Sequence, residues 1–242
     1  MSAALRVMLL TEDSGEDAHE VLRHVVERAL RAAQDNLDME QVEVLPRTQG
    51  SRQAMQFLSF RARKAHRARV DLARELVDRL TDDGAPTFIL VHVDGDRTWA
   101  ERVDPPTHVA EFREHILPGV RNGLAQLGVL ERSEHLLFVV PHYSIEAWLY
   151  QNTPRLRALY AKAPADHPNL VDLDAWKHNP GALDEVPGPK DRLSIHDRHN
   201  LDLARTLPGG KLMAVGKSFT ATVLHLRACE PLVRALRQAT FV

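Results

Sequence analysis

The sequence predicts an α/β fold, with a largely parallel sheet flanked by helices over roughly the first 150 residues and a helical, loop-rich C-terminal part after it. Three observations predict it. The runs Leu5–Leu10, Phe88–Val93 and Leu136–Val140 are short and almost continuously apolar, the pattern of strands covered on both faces. Stretches of helical period stand between these runs, so strands and helices alternate. Beyond residue 152 the texture changes to proline and turn formers, then to closing helices. The expected division is an α/β domain over 1–152 and a helical extension over 153–242 packed on it.

Leu5–Leu10 reads as the first buried strand, broken by the polar "TEDSGED". A helix follows. Ser14 is its candidate N-cap, with Asp17 three residues on in the manner of a capping box, and Val21, Leu22, Val25, Val26, Ala29 and Leu30 share one face. Val42–Leu45 is a second, shorter strand. "RTQGSRQAMQF" reads as a loop, and "LSFRARKAHRARVDLARELVDRL" as a long helix with arginines crowded into its first half. Phe88–Val93 is the next strand, and Val109–Leu127 a helix that Pro118 cuts or bends. Leu136–Val140 then leads through a turn at Pro141 into a helix entered at Glu146 and Trp148.

Composition removes several classes of function. The net charge of −2 excludes a histone-like partner, so any nucleic-acid contact must come from a local patch. The one cysteine, Cys229, allows no intramolecular disulfide and no cysteine-built zinc site, which suits a reducing compartment. The apolar stretch of "MSAALRVMLLTED" is too short, and too soon acidic, for a secretion signal or a membrane span. A cytoplasmic protein without membrane contact is expected.

The chemistry collects in acids at strand ends. In open α/β sheets, function lies in the crevice beyond the carboxyl ends of the strands. Glu12 and Glu16 follow the first strand, Asp94 and Asp96 the third, and Glu146 the turn after the last. Carboxylates drawn together repel unless a divalent cation neutralises them, and an oxygen-only set selects a hard ion, magnesium or manganese. Taken singly, each of these acids is as well explained as a turn former or an N-cap. Their joint pattern is more specific.

"LRVMLLTEDSGEDA" together with "FILVHVDGDRTW" resembles the TOPRIM domain of primases, type II topoisomerases and OLD-type nucleases, in which a glutamate ends the first strand and Asp-x-Asp a later one. The spacing of Glu12 and Glu16 is similar to the OLD-type pair of acids. "HYSIEAWLYQN" and "EVPGPKDRL" resemble small stand-alone bacterial TOPRIM-like proteins of uncharacterised function. One position departs: Asp13 stands where the OLD-type pattern has glycine, and the glycine comes at Gly15, so the turn around Glu12 is left open by the resemblance. The resemblance implies a TOPRIM-like, Rossmann-like domain with a magnesium-dependent phosphoryl-transfer site. In it Asp94 and Asp96 bind metal, Glu12 binds metal or acts as general base, and Glu16 and Glu146 complete a second metal site. Lys190 would neutralise transition-state charge, with Lys217 a weaker candidate for the same task. The implied activity is nucleic-acid cleavage, and the implied setting an anti-phage defence or mobile-element system. No Gly-x-x-x-x-Gly-Lys-Ser/Thr loop occurs, so a nucleotide-driven step requires a separate ATPase or another defence-system partner.

Arg61, Arg63, Lys64, Arg67 and Arg69 form a cluster suited to phosphates, and equally suited to a solvated helix face paired with Asp71, Glu75 and Asp78. Two other readings compete with the nuclease. Asp94-Gly-Asp96-Arg-Thr98 matches the nucleophile motif of haloacid-dehalogenase-type phosphatases, although that motif normally opens its domain and a downstream pair of acids is lacking. A TOPRIM-like scaffold could also serve as a non-catalytic binding subunit. "HDRHN" (His196–Asn200) is read as a surface loop, and Trp148 and Trp176 as packing residues.

Overall fold

The structure, a computed structural model, describes the chain apart from residues 1–2, 14, 16, 47, 56–65, 102–106, 161–167, 180, 194–196, 208–215 and 241–242. Its centre is a four-stranded, all-parallel sheet formed by β1 (Leu5–Thr11), β2 (Val42–Leu45), β3 (Thr87–His92) and β4 (Leu136–Val139), in the order β2-β1-β3-β4. Thr87, Phe88, Ile89, Leu90, Val91 and His92 make up β3, and all six positions are buried. That is the signature of a central strand covered on both faces.

Alternation along the strands sorts the side chains into two cores. Leu5, Val7, Leu9, Phe88, Leu90, Leu137 and Val139 face one side. There they pack with α1 (Ala18–Ala33) and with C-terminal helices that include α10 (Asn200–Arg205), α11 (Lys217–Ala228) and α12 (Glu230–Gln238). Met8, Leu10, Ile89, Val91, Leu136 and Phe138 face the other, against α2 (Gln49–Met55), α3 (His66–Thr81), α4 (Thr107–His115) and α5 (Leu117–Gln126). The apolar stripe expected on α1 is buried at all six positions, and Asp17 holds its N-cap position. The N-cap expected at Ser14, itself outside the described residues, is thereby corrected: the helix opens three residues later, at Ala18.

The loop expected over "RTQGSRQAMQF" is corrected: Gln49–Met55 is the helix α2, because Ser51, Ala54 and Met55 are buried against the sheet and α3. Tertiary burial here outweighs a polar, glycine-containing sequence. Pro118 does cut its helix. The chain breaks at Ile116 between α4 and α5, with the proline in the first turn of α5, where its missing N–H costs nothing. After β4 come the one-turn α6 (Glu146–Leu149), α7 (Thr153–Leu159), α8 (Pro168–His178) and α9 (Pro189–Leu193), then α10 to α12. The part beyond residue 152 is helical as expected, and α10 and α11 lie directly on α1. Trp148 and Trp176 are buried, as read from the sequence. No helix among the described residues is long and apolar enough to cross a membrane.

Candidate active site

β1 leads to β2 on one side and, after α3, the chain crosses to β3 on the other, so the strand order reverses between β1 and β3. Parallel neighbours that diverge at such a point leave a crevice at their carboxyl ends. Thr11 pairs with His92 as the last register position, so residues 12–13 and 93–94 leave the sheet side by side.

The acids converge there. One carboxylate oxygen of Glu12 accepts the backbone N–H of Asp94, and the other lies 2.7 Å from His108 Nδ1, at the start of α4. Asp94 Oδ1 accepts the N–H of Ile145 at 3.1 Å, just ahead of α6, and sits 3.3 Å from His92 Nε2. His92 Nε2 has no aligned hydrogen-bond partner, so this is a charge contact rather than a formed hydrogen bond. The other ring nitrogen, Nδ1, meets Thr11 Oγ1 at 3.0 Å and lies 3.8 Å from Asp13.

The segment after Asp94 is sewn to the turn after β4. The N–H groups of Gly95, Asp96 and Arg97 donate to the carbonyls of Pro141, Tyr143 and His142, each at 3.0 Å. A Cβ at residue 95 would run into the His142 carbonyl, so only glycine allows this approach. Asp96 then takes a left-handed backbone, φ 52°, which aspartate tolerates better than most residues. Its carboxylate is exposed and takes no hydrogen bond or ion pair among the described residues. The two aspartates of Asp-x-Asp thus part: Asp94 turns inward and Asp96 outward.

Glu146, the first residue of α6, is 9% exposed, and its Oε1 accepts the Asn200 side-chain N–H at 2.8 Å. Its charge reaches Asp94. Burial pushes the Asp94 carboxyl up to about 7 against the pull of His92, and the charges of Asp13 and Glu146 push the same way. Burial raises Glu12 as well. Burial alone would lower His92, but the neighbouring carboxylates of Asp94, Asp13 and Glu12 hold it at about 9. Anions therefore outnumber the one buried imidazolium beneath them.

The remaining expected residues spread around this centre. Lys190 is half-buried on α9, which packs against α6. Lys217 opens α11 and pairs with Glu185 at 3.5 Å. Arg67 is almost fully exposed on α3, 3.7 Å from Asp71, and Arg69 is half-buried on the same helix. Glu16, Arg61, Arg63 and Lys64 lie outside the described residues.

Sequence reasoning missed four contributors. His92, the last residue of β3, stands two positions before Asp94, a local signal available in "HVD". Asp13 lay in the gap of the glycine pattern. His108 and Asn200 arrive from distant elements and carry no local signal. Asn200 also corrects the reading of "HDRHN" as a surface loop: it is buried, and its partner is Glu146.

Among the described residues no group of three or more His, Cys, Asp or Glu is already drawn up as a metal cage. The donor chemistry nonetheless fits a hard cation: Glu12, Asp94 and Glu146 supply carboxylate oxygens, and burial, with the charges of Asp13 and Glu146, raises the proton affinity of Asp94. Comparison with family models, with curated proteins and with solved structures finds no match.

Proposed function

We propose that the chain is a TOPRIM-like nuclease that cleaves phosphodiester bonds of nucleic acid with magnesium or manganese. What supports the reading above all is the meeting of Glu12 and Asp94 at the point where the strand order reverses, with Glu146 brought electrostatically into the same group. Glu12, Asp94 and Glu146 would hold the ion, which supplies Lewis acidity toward the phosphodiester and its attacking water.

The chain's own groups do the rest. Glu12, its proton affinity raised by burial, would bind the ion or act as general base, and His108 fixes its orientation. The Ile145 N–H holds Asp94 in place. Lys190, on the helix beside α6, is the candidate for balancing transition-state charge. Arg67 and Arg69, with Arg61, Arg63 and Lys64, would neutralise phosphates along the strand being cut. Exposed Asp96 is free to turn toward a substrate-bound ion. A cytoplasmic setting, a role in phage defence and a separate ATPase or other defence-system partner belong to the same proposal.

The test is incubation of the purified chain with labelled plasmid and single-stranded substrates, under magnesium, manganese or chelator, beside an Asp94→Ala, Asp96→Ala double variant. Metal-dependent cleavage should fall by about a thousandfold or more in the variant. Hydrolysis of a small phosphomonoester instead would establish the phosphatase alternative. Inertness toward both substrates would leave the binding-subunit reading standing.

A further inference from the structure

The pair of Glu146 and Asn200 joins the short helix after β4 to the C-terminal helices, and its chemistry is unbalanced. An ionised carboxylate only accepts hydrogen bonds, so the Asn200 amide must turn its N–H toward Glu146, as the 2.8 Å contact records. That fixes the other end of the amide. Asn200 Oδ1 is buried and has no partner among the described residues, although the residue is only 9% exposed. A buried acceptor left unpaired costs about 1–3 kcal/mol, and a leucine of similar volume would avoid that cost. An amide's oxygen and nitrogen share one carbon, so Oδ1 lies no more than roughly 5 Å from Glu146 Oε1, within reach of one hydrated ion.

We propose that Asn200 is a positioning residue of the carboxylate site: its N–H orients Glu146 and its Oδ1 serves as a neutral oxygen donor to the hydrated cation. This rests on the cation reading above. It also gives the C-terminal part a share in the site, because Asn200 opens α10, which packs on both α1 and α6. Hard divalent ions take amide oxygens together with carboxylates, and partners that hold a ligating carboxylate matter nearly as much as the ligand itself.

The probe is Mn²⁺ alone, titrated into the full metal-free chain and followed by calorimetry and by thermal melting. Wild type should bind saturably and melt higher as Mn²⁺ rises. Asn200→Ala should weaken the binding midpoint by about ten- to a hundredfold. Asn200→Asp, which exchanges the N–H for a second anionic oxygen, should lower the metal-free melting temperature yet bind Mn²⁺ no more weakly than wild type. A purely structural asparagine predicts the opposite: both variants melt lower by the same amount with and without Mn²⁺, and the midpoint does not move. That result overturns the inference while the cation reading survives. A wild type that binds no Mn²⁺ overturns both. If Asn200→Ala does not fold, Asn200→Asp decides alone, and weakened Mn²⁺ binding by it counts against the proposal.

Discussion

Asp94 and Asp184 are two carboxylates withdrawn from water in one small protein, and their surroundings differ in kind. Asp184, in the turn Ala182–Glu185, is fully buried and answered by donors: the N–H groups of Lys217 and Ser218 at the start of α11, and the Ser218 hydroxyl. That hydroxyl in turn accepts the indole N–H of Trp148 at 2.7 Å. Gly216, φ 125°, leaves room for the carboxylate where a side chain would strike it. Burial raises its proton affinity, and the helix-terminal donors work against that rise. Asp94 receives one backbone N–H and one imidazole, and faces the charges of Asp13 and Glu146. Burial with donors builds a structural joint. Burial among like charges leaves a carboxyl whose proton affinity stays high.

The comparison breaks most visibly in activity. Asp94→Asn should lower metal-dependent cleavage by about a thousandfold, equivalent to about 4 kcal/mol of barrier. Metal-free stability in urea should stay within about 1 kcal/mol of wild type, because this carboxyl is already half-protonated near neutral pH. Asp184→Ala should do the reverse. Loss of three donors' partner and of the helix cap should cost about 3 kcal/mol in urea unfolding, with no change in the Mn²⁺ midpoint of the folded fraction. If both variants lost stability equally, the distinction between joint and site would fail.

A smaller effect sharpens the same contrast through pH. His92 is held at about 9 in the fold and titrates near 6.5 when unfolded, so the folded state binds the extra proton between these values. Its contribution is fully present below pH 6.5 and disappears as pH rises through 9. Metal-free wild type should therefore lose on the order of 2 kcal/mol between pH 6.5 and 9.5, and His92→Asn should lose distinctly less, as measured by urea melts across the range. An identical slope in both proteins would remove His92 as the counter-ion beneath the acids.

Much of this architecture could be read in advance from residues whose neighbours in sequence are their neighbours in space. The apolar runs of β1, β3 and β4 and the stripe of α1 carried their own periodicity, and Glu12, Asp94 and Glu146 were marked by their places at strand ends. α2 was not legible, because Ser51 and Met55 are buried by α3 and the sheet rather than by any local preference. Nor were His108 and Asn200. Each becomes a partner only when the chain closes, 96 and 54 residues from the carboxylate it meets. Gly95 was visible as a residue, but its reason, the carbonyl of His142 pressed against it, was not.

That close approach has a mechanical outcome. Three successive N–H groups of residues 95–97 grip the carbonyls of 141–143, so the two segments form one stiff lip along the crevice. Such a wall does not gape by parting its halves. On the nuclease reading, a polyanion would therefore enter past the carboxyl end of β1 rather than between these two segments.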